Sequence, residues 1–275
     1  MMLNIPKNPA EKSFADGKIL QSVGDGIGIV TFNNPEKRNA MSLDMWEGLG
    51  QSLVELRDDP DVRVVILTGA GDKAFVSGAD ISQFEKTRHN AEASEEYSKR
   101  SAAQRALLAD YPKPTIACIR GFCLGGGMQV AMLADIRFAA ENSQFGIPAA
   151  KLGIAYGYDG LRNLVSLVGP SWARLIMYTG MRIDSAEAQR IGLVDRVLPD
   201  AELWDATLEV ARTISGNAPL AIKAAKLTIA QVLKDPAARD FDAIKDIGTA
   251  CMDSEDFREG RRAFMEKRKP VFKGK

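Results

Sequence analysis

Two segments of the chain are apolar at almost every position, "VRVVILTG" (62–69) and "TIACIRGF" (115–122). A strand with one wet face alternates apolar with polar residues, so strands that do not alternate need cover on both faces. "IRFAA" (136–140) reads as a further strand. The covering helices are legible between them. "SLDMWEGLGQSLVELRDD" opens on Ser42 as N-cap and keeps Met45, Leu49, Leu53 and Leu56 on one face. Residues 91–109 suit a helix that Pro112 and Pro114 stop, and "VAMLAD" suits a short one. Upstream, "KILQSVGDGIGIVTFNN" reads as two strands joined at Asp25-Gly26, a favoured hairpin dipeptide. The class is therefore α/β. From Pro170 the texture turns helical: residues 170–180, 184–191, 200–215, 218–234, 236–251 and "SEDFREGRRAFMEKRK" all suit helices. This divides the chain into a mixed core, 1–200, and a helical region, 201–275. Ile222, Ala225, Leu227 and Ile229 in that region need a surface to bury against, part of it on another subunit.

Composition excludes more than it selects. Lys plus Arg and Asp plus Glu are 36 each, so charge points to neither nucleic acid nor membrane as partner. No apolar run is long enough to span a bilayer, and "MMLNIPKNPAEKSFADGK" lacks the apolar centre of a signal peptide. Cys118, Cys123 and Cys251 have no metal-ligand spacing and fit reduced thiols, so a cytoplasmic, soluble protein is expected. His89 is the only histidine and lies in the polar run "KTRHNAEASEEY", where it reads as a surface residue. Chemistry that needs a Ser–His or Cys–His pair is thereby excluded, leaving carboxylates, tyrosines, amides and backbone.

Glycines mark the candidate site. Gly69, Gly71 and Ala74 match a dinucleotide-binding pattern, but "KAFVSGADI" follows where that motif requires a helix. "LGGGMQVAMLAD" is different, because its glycines follow a buried strand and open a helix directly. The first amides of a helix have no internal partners, and glycine lets a ligand oxygen approach them. "VSGADIS" also ends a strand and begins a helix, around Asp80. Either both are simply tight strand-to-helix turns, or two N–H groups converge on one oxygen as an oxyanion hole.

The chain resembles the enoyl-CoA hydratase/isomerase, or crotonase, family from about "GIVTFNNPEKRNAMS" to "EKRKPVF". The landmarks are "NNPEKRNAM", "FVSGADI", "KPTIACIRGFCLGGG", "FGIPAAKLGI", "AEAQRIGLVDRV" and "EGRRAFMEKRKPVF", in that order. The resemblance implies a crotonase-like spiral of ββα turns with a helical C-terminal trimerisation region, and a homotrimer or a hexamer made as a dimer of trimers. It implies acyl-CoA thioesters as substrates, no metal, and no cofactor beyond the CoA moiety. The family's oxyanion hole falls on the amides of Ala79 and Gly126. CoA would lie against Lys37, Arg38, Asn39 and Ala40 and the stretch Ala79, Asp80 and Ile81, with Phe264 and Lys267 reaching it from the last helix. For "EKRKP" a solvated helix end is the competing reading.

Departures from the family pattern are informative. Hydratases of this family carry two glutamates, and the matching positions here are Gln129 and Ala149. An amide can hold water but cannot accept its proton near neutral pH. Tyr156, Tyr158 and Asp159 stand in the loop that lines the acyl pocket in relatives. Buried among aromatics, Asp159 would be a general acid or base with a raised pKa; as the residue before "GLRNLVSLVG" it would be a helix N-cap. If that loop is extended, Tyr156 and Tyr158 share a face, either orienting a polar group of the acyl chain or walling the pocket. Asp135 reads as a buried structural acid. Isomerisation, decarboxylation, C–C cleavage and atypical hydration all fit this pattern. A non-catalytic acyl-CoA-binding or scaffold protein and an acyl-CoA hydrolase are the alternatives. Acyl preference rests on residues 81–100 and 150–160.

Overall fold

A computed structural model describes residues 11–83 and 89–275. Residues 1–10, within the stretch expected to lack a signal peptide, and 84–88, within the expected acyl-preference segment, lie outside the described residues. The chain opens with β1 (Lys12–Phe14), β2 (Ile19–Gly24), β3 (Ile27–Phe32) and α1 (Leu43–Asp58). Asp25 and Gly26, at φ 54° and 76°, turn β2 into β3 as the dipeptide predicts. Ser42 accepts the Met45 N–H at 3.2 Å and caps α1.

Three similar turns follow. Each lays a strand into a large sheet, a three-residue strand into a small one, and then a helix. They are β4 (Val64–Gly69), β5 (Ala74–Val76) and α2 (Ala91–Ala109); β6 (Thr115–Ile119), β7 (Phe122–Leu124) and α3 (Gly126–Leu133); β8 (Ile136–Ala140), β9 (Gln144–Gly146) and α4 (Tyr158–Thr179). The chain continues with β10 (Arg182–Asp184), α5 (Ser185–Arg190), β11 (Arg196–Leu198), α6 (Asp200–Gly216), α7 (Pro219–Val232), α8 (Phe241–Asp253) and α9 (Glu255–Met265). The large sheet has the order β1-β2-β3-β4-β6-β8-β11, and the small one β10-β9-β7-β5. β3, β4, β6, β8 and β11 are parallel, as are β5, β7 and β9.

The apolar strands are covered on both faces. Val65 and Leu67 join Met45, Leu49, Leu53 and Leu56 of α1 in one core. Val64 and Ile66 point the other way, onto Leu203, Trp204, Leu208 and Ala211 of α6. Each fully buried side chain of this size contributes about 1.5–3 kcal/mol.

The structure corrects several boundaries. "TIACIRGF" is not one strand: Gly121, at φ 65°, turns the chain so that Phe122 starts in the other sheet. The helix expected at 170–180 is the second half of α4, which begins at Tyr158 and kinks at Gly169 (φ 72°) before Pro170. Instead of a helix from 236, Pro236–Ala238 form a 3-10 turn and Asp240 caps α8 through the Ala243 N–H. Asp135 is structural but exposed, accepting from the Thr115 N–H at 2.7 Å and Lys226 Nζ at 2.8 Å.

Beyond α6 the helices leave apolar surface open. Among the described residues α8 has no buried one, and Ile229, Val232, Phe241, Met252, Phe264 and Met265 are exposed. Ile222 and Leu227 are half-buried, whereas Ala225 is exposed. The C-terminal segment folds back, with Arg63 donating to the carbonyls of Ser215 and Phe272. No described helix is long and apolar enough to cross a membrane.

Candidate active site

The glycine triplet splits into three separate requirements. Gly125 caps α3 at φ 48° and ψ −106°, a conformation that an L side chain resists. Gly127 is pressed against β5, where a methyl would overlap the Val76 carbonyl oxygen. Gly126 faces neither constraint: a Cβ there would meet Gly78 only at 3.5 Å and stand 3.8 Å from the Ala79 nitrogen. One glycine of the three thus borders open space.

Backbone pairing aims the second amide. The Met41 N–H donates to the Gly78 carbonyl at 2.8 Å, and the Asp80 N–H donates to the Met41 carbonyl at 2.9 Å. Peptide groups alternate along such a pair, so Ala79 turns its own N–H to the opposite side, towards Gly126. Among the described residues neither the Ala79 nor the Gly126 N–H has a protein acceptor. Two orphan donors from different turns of the spiral therefore face one space, as an oxyanion hole requires.

The adjoining loop is held rigidly. After a 3-10 turn at Pro35–Lys37, Arg38 and Asn39 both take left-handed φ, 53° and 56°. Asn39 is fully buried; its Oδ1 accepts the Asn34 N–H at 2.9 Å and its Nδ2 donates to the Ala70 and Ala74 carbonyls. This anchor was not singled out from sequence for that role, although Asn is among the residues that tolerate left-handed φ. Ala40 is at the edge of burial beside it. Lys37 Nζ donates to Asp80 Oδ2 and to Ser82 Oγ, each at 2.9 Å. Burial pushes the Asp80 carboxyl up, but hydrogen bonds from Ser82 and Lys37 together outweigh it and hold the carboxyl below the usual range. Arg38 lies 5.4 Å over the Phe122 ring, and Ile81 is left exposed.

On the other flank Tyr156 and Gln129 meet. The Tyr156 hydroxyl donates to the Gly125 carbonyl at 3.2 Å. A Cβ on Gly160 would stand 3.2 Å from the Tyr156 ring and 3.8 Å from Gln129 Nε2. Burial drives the Tyr156 pKa up, with Gln129 beside the hydroxyl working weakly against it. Ala149, in a 3-10 turn at Pro148–Leu152, is a buried methyl.

Two expectations about the third turn are corrected. Asp159 is not the N-cap: Gly157 takes the extended capping geometry, and Asp159 sits inside the first turn of α4. It is also exposed rather than buried. Tyr156 and Tyr158 do not share a face, because the helix begins at Tyr158 and turns it outward, 77% exposed. Phe264 and Lys267 lie exposed around the end of α9 and, among the described residues, form no hydrogen bond with the Ala79–Gly126 site. Among the described residues no group of three His, Cys, Asp or Glu is placed to hold a metal.

The profile of the enoyl-CoA hydratase/isomerase family matches residues 22–275. A short-chain-enoyl-CoA hydratase of Clostridium acetobutylicum is 36% identical over 251 residues, covering 91% of this chain and 95% of that protein. A carnitinyl-CoA dehydratase of Salmonella agona is 35% identical over 252 residues, covering 90% and 94%. The crystal structure of an enoyl-CoA hydratase/carnithine racemase from Magnetospirillum magneticum superposes with a TM-score of 0.90 at 36% identity, covering 94% and 96%. The chain belongs to the enoyl-CoA hydratase/isomerase family, whose members act on acyl-CoA thioesters, and has the crotonase fold.

Two outcomes follow from this geometry. Gly126→Ala keeps the fold but crowds the space before the Ala79 N–H; Gly127→Ala costs about 2 kcal/mol or more through the Val76 clash, as urea denaturation would show. The Asp80 carboxyl has its folded pKa below the unfolded value, so its contribution is full above the unfolded pKa and is lost as pH falls through the folded one. The stability gap between wild type and Asp80→Asn should hold steady above about pH 5 and close on further acidification.

Proposed function

We propose that this chain is an acyl-CoA-transforming enzyme that stabilises a thioester enolate between the Ala79 and Gly126 N–H groups. The observation that carries the reading is the pair of acceptorless amides on facing turns. An enolate concentrates negative charge on the thioester oxygen, so fixed donors there favour the reactive species over the ground state. Asp159 takes the α-proton in this reading, being the exposed carboxylate next to Gly160, on which Tyr156 and Gln129 close.

Among reactions that run through this enolate, reversible addition of water to a short unsaturated acyl-CoA is favoured by the names of the similar proteins. It would proceed without the two family glutamates, since Gln129 and Ala149 stand at the matching positions. Gln129 would orient water through its amide, and Asp159 would manage the proton. CoA would rest against Lys37, Arg38, Ala40, Asp80 and Ile81, in a homotrimer or a dimer of trimers that buries the apolar faces of α7–α9 and brings Phe264 and Lys267 to a neighbour's CoA.

Exchange of the α-protons of butyryl-CoA with deuterated solvent, followed by NMR, tests the enolate whatever the final product. Wild type should exchange, Asp159→Asn should slow exchange about 100-fold, and Gly126→Ala should suppress it similarly. No exchange and no turnover in wild type would leave a binding module; release of free CoA thiol would reveal a hydrolase. Crotonyl-CoA absorbance, read in parallel, decides whether water is a reactant. Sedimentation should give a species of at least three chains.

A further inference from the structure

The Gly126 N–H is one end of a peptide group whose other end is the Gly125 carbonyl. That carbonyl accepts two hydrogen bonds, from the Gln129 N–H at 3.1 Å and from the Tyr156 hydroxyl at 3.2 Å. The first is the ordinary bond of a helix turn. The second arrives from a different turn of the spiral. Amide resonance couples the two ends, so protons resting on the oxygen make the N–H a stronger donor. Gly125 has no side chain to steady this plane, and the phenol ties its oxygen to the loop before α4.

We propose that Tyr156 is a positioning residue of the oxyanion hole, acting on the thioester oxygen through the Gly125–Gly126 peptide by polarising its N–H and fixing its direction. This rests on the enolate reading above. The ring is fixed for the task by the close approach of Gly160 and by the Gln129 amide. Burial keeps the hydroxyl protonated at neutral pH, which suits a permanent donor and removes Tyr156 from the groups that pass a proton during turnover.

The test reads carbonyl polarisation without needing turnover. 4-(Dimethylamino)cinnamoyl-CoA absorbs at longer wavelength as its thioester carbonyl accepts stronger hydrogen bonds. Wild type should shift it to the red on binding. Tyr156→Phe, which removes one oxygen and leaves the ring in place, should bind with affinity within about threefold but lose about half of the shift. On the turnover substrate its kcat should fall about tenfold, with KM within about twofold and the pH profile unmoved. Replacing the tyrosines by 3-fluorotyrosine keeps the shape and sharpens the phenol as a donor, so the shift should deepen in wild type. A full shift in Tyr156→Phe overturns the proposal while the oxyanion hole stands. No shift in wild type overturns both. Should Tyr156→Phe fail to fold, an unchanged shift in the fluorotyrosine protein overturns the proposal by itself.

Discussion

The contact between the bare Cα of Gly127 and the Val76 carbonyl sets the distance between two turns of the spiral. Any side chain at 127 would drive the start of α3 away from the end of β5, and with it the Gly126 amide away from Ala79. The remaining precision is inherited from this closeness. The pairing of Met41 with residues 78–80 then rotates Ala79, and Asn39 pins that loop from inside. Van der Waals exclusion supplies the distance, and backbone hydrogen bonding supplies the direction.

Around the two amides, charge is arranged with restraint. Asp80 lies beside Ala79 but is fully engaged with Lys37 and Ser82, so it braces the loop rather than competing for a proton. On the opposite flank Gln129 and Tyr156 offer donors, and the carboxylate there, Asp159, is exposed to solvent. A developing oxyanion thus meets dipoles fixed beforehand.

Much of this was legible in the sequence. The unbroken apolar runs announce strands covered twice, and Asp25-Gly26 and Ser42 fix a turn and a cap by local chemistry alone. The glycine triplet pointed to close approach at the right place. What it could not reveal is that Gly127 is glycine because of Val76, some 50 residues earlier, and Gly125 because of its own dihedral angles. The split of "TIACIRGF" was hidden for a similar reason, since which sheet a strand joins depends on distant partners. Asp159 was misread because Gly157, which has no side chain to betray a cap, took the capping position. Asn39 is read from sequence only as part of the CoA-contacting segment, because the carbonyls it anchors to, at Ala70 and Ala74, lie far along the chain.

The three strand–strand–helix turns each end near the same point and deliver different goods. The turn through β5 supplies Ala79, the turn through β7 supplies Gly126, and the turn through β9 supplies Tyr156 and Asp159. To the oxyanion hole the first two contribute backbone N–H groups rather than side chains. The third contributes side chains, with Tyr156 tied to the Gly125 carbonyl and its neighbours Ala155, Gly157 and Tyr158 all exposed. Such a division separates what must be inherited unchanged from what can be rewritten. A lineage that keeps Tyr156 could exchange the exposed residues around it, one or two at a time, and try new reactions on the same activated thioester without first surviving the loss of the device that activates it.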